Sequence, residues 1–137
     1  MKITEINYLK QFKNDHLFYI AEDYELCTFQ KHHKQKILLY LSAMRSYADL
    51  LIKNNYNIEY KKIEDKDFKK NYFDKILKII NQKKINEISS FEVEDKFFEE
   101  KIRKFLNKSK IKWNIIQTPM FLNSRAEFKN YLSKYNI

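Results

Sequence analysis

Apolar positions along this chain switch repeatedly between two periods. Residues 16–21 (His-Leu-Phe-Tyr-Ile-Ala) form a continuous run of strand length. Ile37, Leu41, Met44, Ala48 and Leu51 then recur at i, i+4, i+7 spacing and predict a long helix with one apolar stripe. Asn54-Asn55 ends it, and residues 57–63 alternate apolar and polar as a strand does. The cycle repeats. Phe68, Tyr72, Ile76, Ile79 and Ile80 predict a second helix ending near Asn81, and residues 85–91 a third strand. Residues 92–106 predict a third helix with Phe98, Ile102 and Phe105 inward, and residues 112–117 a fourth strand stopped by Pro119. Ser124 with Glu127 three residues on has capping-box spacing, and Phe128, Tyr131 and Leu132 continue a last short helix. Ahead of all this, Ile3, Ile6 and Leu9 suggest a short helical lead-in, and Glu22 to Glu25 form an acidic loop.

Strands alternating with helices predict βαβ units, hence an α/β domain built on a parallel sheet. The 137 residues suit one domain with its own core, and 44% hydrophobic with 16% aromatic content argues against wholesale disorder. The chain contains no glycine. That excludes a P-loop and a GxGxxG turn, and leaves turns to Asn, Asp and Ser. The net charge of +9 raises nucleic acid as a partner. Lysine carries nearly all of it, with arginine only at Arg45, Arg103 and Arg125, and abundant Lys, Asn, Ile, Tyr and Phe match A/T-rich codons. Codon bias therefore explains the charge without selection for DNA binding, and any such binding is expected to be weak and non-specific. No apolar run approaches the ~20 residues of a membrane span, and the N-terminus lacks a signal-peptide core. With the single Cys27, this points to a cytoplasmic protein.

Candidate chemistry is sparse. His32 and His33 are adjacent, and i, i+1 side chains on a helix diverge by about 100°, so the pair is expected to form a helix entry rather than a metal site. Cys27 has no base near it in sequence, and Ser42 and Ser124 have no triad partners. No catalytic residue is assigned. Glu22 and Glu25 follow a strand, where open α/β sheets bind ligands, although solvated loop acids would look the same.

One tract stands out as a whole. HHKQKILLYLSAMRSYADLL from His32, with HHKQK, SAMR ending at Arg45 and an aromatic at Tyr47, is followed by IEYKKIED. PMFLNSRAEFKNYL, from Pro119 to Leu132, supplies Phe121, Leu122, Ser124, Arg125 and Phe128. The two motifs, in this order, resemble the N-terminal domain of the photolyase-related flavoproteins, the iron–sulfur bacterial cryptochromes and photolyases. The resemblance spans almost the whole chain.

It implies a Rossmann-like parallel sheet flanked by helices over residues 1–137, a single domain that holds a ribityl-lumazine antenna chromophore. Glu22 and Glu25 match the carboxylates beside that chromophore. FAD and an iron–sulfur cluster would belong to a helical domain that follows in the family, and light-dependent DNA repair or light sensing would be the function of the assembled whole. The chain is expected to begin after the family's first strand, to stop before the flavin domain, and so to be inert alone. A separately encoded flavin domain is one expected partner, self-association through unpaired strand edges another. The alternative is a stand-alone α/β interaction module that binds nucleic acid or protein weakly.

Overall fold

The computed structural model describes residues 8–119 and 121–135. The predicted lead-in positions Ile3 and Ile6, and Met120 of the second motif, lie outside them. The protein is α/β and divides into two compact units, residues 1–76 and 77–137. Each contains one pair of parallel strands.

In the first unit a single 3-10 turn, Lys10–Phe12, precedes β1, Phe18–Ala21. A short helix α1, Tyr24–Thr28, and a long helix α2, Lys34–Lys53, lead to β2, Ile58–Lys61. Phe18 pairs with Ile58 and Ala21 with Lys61. Parallel strands need a crossover of this kind, because a hairpin cannot reverse the chain twice. Helix α3, Tyr72–Lys83, runs across the division between the units. In the second unit β3, Glu87–Phe91, crosses through α4, Lys96–Lys108, to β4, Lys112–Ile116, with Glu87 opposite Lys112. Helix α5, Arg125–Lys134, closes the described chain.

The apolar stripe of α2 does what its spacing predicts. Ala48 and Leu51 are buried, and Leu51 is fully enclosed with Leu9 and Tyr56 while Phe18, Ile20, Tyr47 and Ile58 pack around them. Leu38, Leu39 and Tyr40, off the stripe, are exposed. In the second unit Ile79, Ile80 and Leu106 are buried.

Three elements differ from expectation. The acidic segment after β1 is not all loop: Asp23 adopts an extended conformation and caps α1. Phe68 precedes α3 rather than starting it, because residues 63–70 form turns and bends and Asn71 provides the cap. The helix predicted over residues 92–106 begins only at Lys96, capped by Asp95, whereas Phe128 and Tyr131 continue α5 as expected and Ser124 and Glu127 form the capping box their spacing predicts.

Without glycine, helices still end in left-handed turns. Asn55, Lys84 and Lys110 take φ of 58°, 53° and 56°. At each junction the next N–H returns to the helix: Tyr56 to the Leu51 carbonyl, Ile85 to Ile80, and Ile111 to Leu106, all at 3.0 Å. These are Schellman closures, each followed by an apolar residue that begins the approach to β2, β3 or β4. Asn adopts this conformation at little cost; lysine adopts it at a higher one, since its Cβ crowds the following carbonyl. Replacing Lys84 or Lys110 by Gly is therefore expected to raise stability by up to about 1 kcal/mol, the relief of that crowding less glycine's greater unfolded-state entropy. Asn55→Gly should change less. Urea melts of the three variants check this ordering.

Candidate functional site

The site begins where β1 ends. The Glu22 N–H extends the ladder by one more bond, to the Lys61 carbonyl at 2.9 Å. Its side chain then replaces the next rung: Oε2 accepts the Ile63 N–H at 2.8 Å. A carboxylate standing in for a backbone carbonyl ends strand pairing at this point. The second unit uses the same device. Glu92, just past β3, donates its N–H to the Ile116 carbonyl at 2.9 Å and accepts the Thr118 N–H at 3.3 Å.

Glu22 is 1% exposed, so its charge requires compensation. Arg45 of α2 supplies it as a two-pronged fork, Nε to Oε1 at 2.6 Å and Nη2 to Oε2 at 2.9 Å. The Tyr60 hydroxyl of β2 donates to Oε1 at 2.7 Å. Four donors thus occupy the roughly four acceptor positions of a carboxylate. The Arg45 hydrogen bond outweighs the opposing effect of burial and holds the Glu22 carboxyl down at about 2. The same pairing pushes Arg45 above its ordinary value, while burial, then the hydrogen bond to Glu22, raises Tyr60. Glu64 adds a looser contact to Arg45 at 3.3 Å on the exposed side.

Asp23, the next residue, points the other way, as successive residues of an extended chain must. Its Oδ1 accepts the Leu26 N–H at 3.0 Å and caps α1. Its Oδ2 meets the ammonium of Lys75 in α3, and both side chains are buried, at 0% and 3% exposure. Lys75 also donates to the Phe68 carbonyl at 3.2 Å. Around this pair, burial raises the hydroxyls of Tyr19 and Tyr72 and the thiol of Cys27, and the Asp23 charge adds to each. Among the described residues the buried Tyr19 hydroxyl has no hydrogen-bond partner.

Glu25 is exposed on α1. Its two oxygens accept from the Asn71 side-chain N–H groups at 3.2 and 3.1 Å. Beside it the Tyr24 ring packs edge-on against Phe68, with the Lys69 ammonium over its face. The structure thus brings Glu22 and Glu25 to the same end of β1 in different situations. One is saturated by the protein; the other presents an oriented carboxylate to solvent. Sequence reasoning missed the partners. Arg45 carried a signal, as one of three arginines in a lysine-rich chain. Lys75 and Asn71 carried none, because lysine and asparagine are common here.

The histidines have structural work. His33 caps α2, its Nδ1 accepting the Gln35 N–H at 3.3 Å, and His32 packs edge-on against Phe29. Among the described residues no group of three His, Cys, Asp or Glu side chains is placed to hold a metal ion. Nor is any described helix long and apolar enough to cross a membrane.

Because the folded Glu22 carboxyl titrates at about 2 against its ordinary 4.5, its contribution is complete above pH 4.5 and is lost as pH falls towards 2. Glu22→Gln is expected to cost about 1.5–3 kcal/mol at neutral pH, the range for hydrogen bonds to charged groups, and to flatten this acid limb. Denaturant melts between pH 2 and 7 check both effects.

No curated protein matches this chain. The family model described as deoxyribodipyrimidine photo-lyase-related protein matches residues 3–136. That match takes in both sequence motifs, both acids after β1 and both parallel strand pairs, and the chain belongs to the deoxyribodipyrimidine photo-lyase-related protein family.

Proposed function

We propose that this chain is an antenna-type domain of a photolyase-related flavoprotein, of the iron–sulfur bacterial cryptochrome and photolyase kind, and that it takes up a ribityl-lumazine beside Glu25. The observation that carries the reading is the exposed, oriented Glu25 carboxylate at the carboxyl end of β1, in a chain matched by the family over residues 3–136. Ligands of open α/β sheets bind at such strand ends.

The donor set fits the group in part. Glu25 offers an acceptor to ribityl hydroxyls or a ring N–H, and the exposed rings of Tyr24 and Phe29 offer apolar surface near it in sequence. Glu22 has no acceptor position left and contributes by holding Arg45, Tyr60 and the residue 63 backbone in place. A bound lumazine would supply near-ultraviolet to blue absorption for transfer to a flavin. On this reading FAD and the iron–sulfur cluster reside in a separate helical domain, and the chain alone repairs nothing.

Protein purified in the presence of a ribityl-lumazine should carry a near-ultraviolet to blue band and show no light-dependent repair of irradiated DNA. Glu25→Gln should weaken the lumazine about tenfold or more, as loss of one charge-assisted hydrogen bond requires. A colourless protein whose presence leaves lumazine fluorescence unchanged refutes the antenna reading. Repair by the chain alone refutes its inertness.

The net charge of +9 favours a second reading, a module that binds nucleic acid. Such binding should fall in the non-specific range of roughly 10⁻⁴–10⁻⁶ M and weaken steeply with salt. Tight, salt-insensitive binding to one sequence or lesion in a gel-shift titration would contradict it.

A further inference from the structure

Asn71 makes three contacts with two different jobs. Its Oδ1 accepts the Phe73 N–H at 2.9 Å, and its main-chain carbonyl accepts the Lys75 N–H at 3.2 Å, so it starts helix α3. Its Nδ2 spans both oxygens of Glu25. The first job dictates the second. An amide whose oxygen faces a backbone N–H can turn only its NH₂ towards Glu25, and that group only donates. Lys75, one turn along α3, is in turn held by buried Asp23, two residues before Glu25 in the chain. The helix start and the acid are thereby tied to the same strand end.

We propose that Asn71 is a positioning residue for Glu25, and this rests on the reading of Glu25 as the chromophore's acceptor. Glu25 has three rotatable side-chain bonds on a five-residue helix at the surface. Left free, it would have to be ordered by the ligand. Held by Asn71, both oxygens are directed in advance, and each keeps acceptor capacity for a hydroxyl or ring N–H. The ligand class this suits is a neutral donor-rich one, a polyol or a heterocyclic N–H, since an anion would meet the carboxylate with like charge.

The test separates capping from positioning. Asn71→Ser and Asn71→Asp both keep an oxygen that caps α3, so both should melt near wild type. Neither offers an NH₂ to Glu25, and Asp adds repulsion. In fluorescence titrations with a ribityl-lumazine, Asn71→Ser should bind about fivefold more weakly, the loss expected when the ligand must order one more side chain. Asn71→Asp should bind more weakly still. The reversed pair, Glu25→Gln with Asn71→Asp, restores a hydrogen bond between the positions. It should therefore show favourable coupling in a double-mutant cycle on melting temperature without regaining lumazine affinity. Wild-type affinity in both single variants, or no coupling in the cycle, overturns the role of Asn71 alone. Failure of the wild-type protein to take up the lumazine overturns the antenna reading, and this proposal with it.

Discussion

Two adjacent acids, Glu22 and Asp23, are buried at the end of one strand, and much of the first unit follows from the need to neutralise them. A buried carboxylate without a partner would cost far more than the few kcal/mol by which a domain is stable. Because neighbouring side chains of an extended segment point to opposite sides, one acid cannot borrow the other's cation. Each recruits its own, from a different helix. Arg45 ties α2 to Glu22, and Lys75 ties the start of α3 to Asp23. The forked guanidinium suits Glu22, whose two oxygens also serve Tyr60 and Ile63. The compact ammonium suits Asp23, whose other oxygen is already committed to the cap of α1.

The same acids set where the strands stop. A glutamate just past β1 and another just past β3 accept N–H groups two residues beyond β2 and β4. Ladder pairing ends there because a flexible side chain has replaced a carbonyl of fixed pitch. The segments that follow are released from the sheet, and Glu25 sits on α1 in the first of them. The glycine-free junctions work at the opposite ends of the strands. Each helix turns into its next strand through a left-handed Asn or Lys and an apolar residue that returns to the helix end. Position in the fold, not glycine's freedom, imposes that conformation.

This arrangement gives the two candidate acids unequal roles within a photolyase-related fold. Glu22 is built into the wall by Arg45, the last residue of the HHKQK-to-SAMR tract. Glu25 is held by Asn71 and stays exposed at the surface. In the other motif, Arg125 pairs with Glu99 at 3.1 Å and bonds the Val93 carbonyl, so it secures the start of α5 within the second unit. Both arginines that lie in the motifs are thus engaged with acids of their own unit.

Local pattern by itself determined the element order. Helix period in residues 34–53, alternation around Ile58 and Tyr60, and the Ser124-Glu127 spacing each reflect short-range geometry, which a single sequence records directly. Composition determined that no glycine-rich phosphate loop exists. The short helix α1 escaped notice because five residues carry no period, and its start depends on Asp23 being held by Lys75 from across the unit. Partner choice was decided only by tertiary structure. Glu22 and Arg45 are 23 residues apart, Asp23 and Lys75 are 52, and Glu25 and Asn71 are 46. Nothing in a lysine-rich sequence distinguishes Lys75 from its neighbours. Only the meeting of Lys75 with buried Asp23 just past β1 takes it out of water, and that desolvation turns an ordinary surface residue type into an obligatory partner.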